Sequence, residues 1–118
     1  MNPGLKNTIL MNSENVNISS KDFWFKIVEF LQQNWALIEK DAESGACIIY
    51  FIHDGSGVFD QIQYPTIEEA EKALRRNGFE RYDKDPEAQG FIFPPRPPYF
   101  RDKHPNGNIY SSGRFWRD

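Results

Sequence analysis

Residues 35–64, WALIEKDAESGACIIYFIHDGSGVFDQIQY, decide the fold. Three apolar stretches alternate here with two turn signals. The first, about 35–40, runs into DAESG. The third, Val58 to Tyr64, follows DGSG at 54–57, whose glycines suit a tight hairpin. Between them Ala46 to Ile52 is an unbroken apolar run of seven residues. Its β-branched and aromatic content predicts a central strand over 46–53. Residues 35–64 therefore read as a three-stranded antiparallel meander.

Working outward toward the N-terminus, SSKDFWFKIVEFLQQNW at 19–35 predicts a helix. Ser19 or Ser20 can cap it, and Asp22 falls in the first turn, where the helix dipole favours a negative charge. At 100° per residue Phe23, Trp24, Ile27, Val28, Phe30 and Leu31 share about half the circumference, opposite Lys26, Glu29 and Gln33. Phe25 is the misfit, since it lands among the polar residues. Residues 1–19 contain five asparagines and no sustained period, and read as a flexible leader. Met11 precedes Asn12 and Ser13 much as Met1 precedes Asn2, so either methionine suits a translation start.

Toward the C-terminus, TIEE at 66–69 is a capping box in which Thr66 serves the Glu69 N–H, and it opens a second helix. Ile67, Ala70, Ala73 and Leu74 make its apolar stripe, with acids early, bases late, and Gly78 placed to end it. FERYDKDPEAQGFIF at 79–93 predicts a further hairpin of two short strands. After Phe93 the prolines of PPRPP end regular pairing, because proline brings no backbone donor. A turn at HPNGN (104–108) and a last edge strand in NIYSSGRFW (108–116) complete the reading. The expected fold is α+β: an antiparallel sheet, three-stranded meander plus C-terminal hairpin, packed by two helices. Residues 20–118 form its single domain, and the proline- and aromatic-rich segment 94–118 straps across it.

The chain has 118 residues, enough for one self-sufficient core. A single cysteine, Cys47, allows no internal disulfide and fits a reducing, cytoplasmic setting. No apolar run is long enough to span a bilayer, and nothing resembles a secretory signal. The net charge of −3 is unevenly spread. Residues 1–90 hold nine Lys/Arg against fifteen Asp/Glu, whereas 91–118 hold five against two. An acidic body and a basic arm predict either packing of one on the other or two surfaces with different partners.

The chain offers little to catalysis. His53 and His104 could act as acid and base in phosphodiester cleavage only if the fold brought them within a few ångströms. Cys47 lies in a core strand, where burial keeps a thiol protonated and inert. No Cys/His spacing matches a metal site, no glycine-rich loop has the context of a phosphate cradle, and no cofactor is implied.

Two kinds of binding remain. Arg96, Tyr99, Phe100, Arg101, Lys103, Tyr110, Arg114 and Trp116 interleave cations with rings, as a binder of single-stranded RNA requires, although the acidic body opposes a polyanion. PPRPP could also present a polyproline surface, but so many rings favour a packed strap. The reading preferred on charge is a small protein-binding module for a basic partner. Its sharpest form is an inhibitor of a basic toxin or nuclease, of the immunity-protein or antitoxin kind made by bacteria. The expected contacts are Glu39, Asp41, Glu43, Asp54 and Asp60 on strand ends and turns, with Arg96, Tyr99, His104 and Arg114 on the arm. The alternative is RNA binding or cleavage by the arm with His53 and His104.

Overall fold

The computed structural model of the chain describes residues 14–29 and 32–103. The strands are β1 (Asn15–Val16), β2 (Phe23–Glu29), β3 (Gln32–Lys40), β4 (Cys47–His53) and β5 (Gly57–Tyr64). Helix α1 (Ile67–Arg76) is followed by β6 (Glu80–Arg81), a 3-10 turn (Tyr82–Lys84), the short helix α2 (Pro86–Gln89) and β7 (Tyr99–Arg101). The seven strands of the described residues join one sheet in the order β1-β7-β5-β4-β3-β2-β6, with β4 at the centre. Every pairing is antiparallel except β5 with β7, which runs parallel.

This corrects the expected fold class. Three consecutive antiparallel strands do span 32–64, but they form part of a seven-stranded mixed sheet, not an antiparallel meander and hairpin packed by two helices. The helix expected from Ser20 onward is instead β2, paired with β3 so that Phe23 faces Leu37 and Phe25 faces Trp35. Its apolar positions mimic a helical stripe because the strand is covered on both sides. Trp24 belongs to one core cluster, while Phe25 and the half-buried Phe23 belong to the other. Successive side chains of a strand point to opposite faces, so burial on both faces erases the alternation that normally marks one. Phe25, which no helical face accommodates, is buried. Phe30 and Leu31 lie outside the described residues.

The hairpin expected over 79–93 is also absent. Only Glu80 and Arg81 pair, with Phe25 and Trp24 of β2. The chain then turns through Tyr82–Lys84 into α2, where the Asp85 carboxylate accepts from the Ala88 N–H and Pro86 occupies the first turn. An aspartate cap followed by proline is a helix-start pair, because the cap satisfies a free N–H and proline needs none.

The sheet separates two cores. On one face Trp24, Ala36, Ile38, Cys47, Ile49 and Phe51 meet Ala70 and Leu74 of α1 and Phe79. The Thr66 hydroxyl accepts from Glu69 N–H, and Gly78 takes the left-handed conformation (φ 88°) that turns the chain after the helix. On the other face Trp35, Leu37, Ile52 and Val58 lie beneath Val16 and Tyr99, with Ile18, Tyr82, Ala88 and Ile92 packed against them. Among the described residues no long helix covers this second face; short segments around Val16 and from Tyr82 to Tyr99 do. Each large side chain buried there is worth roughly 1.5–3 kcal/mol. The β6 end of the sheet is anchored by Arg81, whose guanidinium lies 4.7 Å from the Trp24 ring centroid and pairs with Asp22 and Glu71. Partial burial works against that charge, but the two carboxylates outweigh it and hold the guanidinium above its ordinary pKa.

Candidate functional site

The structure distributes the five acidic residues singled out in the sequence rather than gathering them. Asp41 and Glu43 lie in the loop leading into β4, and Asp54 lies just past its other end. Asp60 sits mid-sheet, opposite Phe51. Three of them are committed to local structure. The Glu39 carboxylate accepts from the N–H groups of Ser19 and Ser20 at 2.9 and 2.8 Å. Asp41 accepts from the Ser44 hydroxyl and the Glu43 N–H, and these bonds, Ser44's first, hold its carboxyl below the usual range. Asp54 accepts from Trp35 Nε1–H at 2.9 Å and from Gln33 N–H at 3.1 Å. Glu43 is exposed, and Asp60 accepts from the N–H of its neighbour Gln61.

His53 is buried at the end of β4, and both its ring nitrogens are occupied. Nδ1 accepts from the Gly55 N–H at 2.9 Å, so the neutral ring carries its proton on Nε2. That Nε2–H donates to Asp102 Oδ2 at 3.0 Å. A histidine held in this way has no free lone pair for base catalysis, and its role is to tie β7 to the β4–β5 turn. The partner proposed for it, His104, lies outside the described residues, as do Tyr110, Arg114 and Trp116. Cys47 is buried, its thiol donating to the Thr66 carbonyl, and burial raises its pKa. Among the described residues no three His, Cys, Asp or Glu side chains come together as a metal site would need.

The described part of the arm packs on the second face. Tyr99 is buried and its hydroxyl donates to the Pro95 carbonyl, while the Arg96 carbonyl accepts from the Ser56 hydroxyl. Between this segment and the N-terminal strand region runs a groove of about 270 Å³, with Ile18, Phe23, Pro94, Pro95, Pro97 and Tyr99 in its lining. Lys21 and Arg96 also line it, and both are exposed.

Beside the groove lies a surface that sequence reasoning missed. Ile27, Phe91 and Phe93 are 62%, 76% and 76% exposed, the large apolar side chains most open to solvent among the described residues. Ile27 and Phe91, with Phe25, Ala88 and Ile92, line a hollow of about 240 Å³ whose other walls are Glu80, Asp85 and Glu87. Helix α2 places Phe91 there: the N–H groups of Phe91 and Ile92 both bond to the Ala88 carbonyl, and the Tyr82 hydroxyl donates to the Ile92 carbonyl. Residues 91–97 thus run from an acid-rimmed hollow to a base-rimmed groove. The available signal was FIF directly after the acidic DKDPEAQG, but as a hairpin strand those rings would have been half-buried.

No family model matches the chain, and no curated protein or solved structure matches it. No helix among the described residues is long and apolar enough to cross a membrane.

Proposed function

We propose that the chain is a small protein-binding module whose partner is basic, and that it engages this partner through the apolar surface of Ile27, Phe91 and Phe93. The observation that carries the reading is the exposure of Phe91 and Ile27 beside Glu80, Asp85 and Glu87, with Phe93 exposed two residues further on. Exposed large rings rimmed by charge are a common mark of an interaction site. Rings at the centre supply contact area, while acids at the rim speed encounter with a basic protein and repel an acidic one. The acidic body points to the same partner, with six more acids than bases over residues 1–90 (15 − 9).

The sharpest form of this reading is a cytoplasmic inhibitor of a basic toxin or nuclease, in the manner of bacterial immunity proteins and antitoxins. Such a protein needs surface and charge, not a catalytic constellation. The experiment is co-production of the chain with the product of each adjacent reading frame. A basic, growth-arresting product that is neutralised by the chain, but not by Phe91→Ser with Glu87→Lys, supports the reading. If no neighbouring product arrests growth, or if the double variant still neutralises it, the inhibitor reading fails.

A further inference from the structure

We infer that the chain also forms a two-fold dimer, in which the Phe93 ring of each copy enters the proline-lined groove of the other. Knob and groove lie side by side, since Phe93 is exposed and the next residue, Pro94, begins the groove lining. A projection and a hollow adjacent on one surface are what a two-fold axis between them requires, because each copy then offers both halves of the contact. The groove's volume of about 270 Å³ suits a single ring far better than a large ligand.

Charge fixes the orientation. The groove is flanked by Lys21 and Arg96, and the hollow around Phe91, two residues before Phe93, carries Glu80 and Glu87. None of these four side chains makes an ion pair within the described part of the chain. Laid face to face about an axis near Pro94, the acidic rim of each copy covers the cationic rim of the other. Arg96 and Lys21 are then placed to meet the faces of the entering rings, a further attraction. Parallel superposition would instead set acid on acid. The occupant is therefore a second copy of this chain.

The dimer covers Phe91 and its acidic rim, so a basic partner and a second copy compete for one surface. This regulatory consequence rests on the partner reading; the dimer itself does not. Sedimentation equilibrium separates the two. The full chain at roughly 10–500 μM, a range suited to a weak self-contact, is expected to pass from monomer to dimer. The exposed substitution Phe93→Ser should raise the dimer dissociation constant at least about tenfold. Lys21→Glu with Arg96→Glu in one chain, and Glu80→Lys with Glu87→Lys in another, should each give monomer. An equimolar mixture of the two should recover the dimer, because both contacts in the mixed pair are then complementary. A wild-type chain monomeric throughout, or a dimer indifferent to these substitutions, overturns the inference. Neither result alters whether the chain neutralises a neighbouring product.

Discussion

His53 Nε2 and Asp102 Oδ2, 49 positions apart in sequence, meet at 3.0 Å and fasten the last described strand to the turn between β4 and β5. Gly57 lies directly beneath this contact, where an added methyl group would overlap the His53 ring and press on Asp102. Gly57→Ala is therefore expected to destabilise the fold by about 1–3 kcal/mol, through overpacking of a buried site. Urea denaturation measures it, and a variant as stable as wild type would show that the contact has room to yield.

The same pair gives the fold an acid sensitivity of defined sign. The His53 hydrogen bond, followed by that from the Lys103 N–H, holds the Asp102 carboxyl below its ordinary range. A carboxylate whose pKa is lower folded than unfolded stabilises fully above the ordinary range near 4 and loses that contribution as pH falls through the folded value. Asp102→Asn should thus be less stable than wild type at pH 6, with the gap closing toward pH 2. The Asp102 side chain is half exposed, so the gap at pH 6 is expected to stay below about 1 kcal/mol.

Asp54 tests whether an exposed acid serves the fold or a partner. It receives the indole N–H of Trp35, a side chain with no solvent exposure, and the Gln33 N–H. Trp35→Phe removes one of these donors and leaves space behind, at an expected cost of about 2–4 kcal/mol. Asp54→Ala should cost about 1–3 kcal/mol, whereas Glu43→Ala, in the exposed loop, should stay within about 0.5 kcal/mol. Thermal melts of the three variants check the ranking.

Cys47 should be silent toward thiol reagents. Its side chain is buried and burial raises its pKa, so both access and thiolate content are low. Modification in native buffer is expected to run at least about 100-fold slower than in denaturant, limited by opening of the central strand. Equal rates would show that β4 is not held in the core.

What could be read from the sequence follows how each segment is covered. Thr66 to Gly78 was legible because α1 has one apolar stripe and one wet face, the case for which periodicity and capping residues are informative. The strands from Ala36 to Tyr64 were legible because Gly55 and Gly57 mark their hairpin. Phe23 to Val28 misled because apolar side chains point to both sheet faces, where position alone mimics a helical stripe. The parallel β7 was hidden because Tyr99–Arg101 is only three residues long and follows prolines, so its pairing with Gly57 and Val58 is set by packing. At the surface, the charges of Glu39 and Asp54 were visible but their hydrogen bonds were not. Phe91 and Phe93 read as strand residues until α2 turned them outward.

The most direct test of the binding surface is site-specific photocrosslinking in the cells that make the protein. A photoreactive phenylalanine analogue replaces Phe91, or, in a parallel experiment, Glu68 on the exposed side of α1 at the opposite sheet face. The account predicts, beside any adduct between two copies of the chain, one heterologous adduct with a basic protein from position 91, weakened at high salt, and none from position 68. Equal labelling from both positions, or no heterologous adduct from position 91, would contradict it.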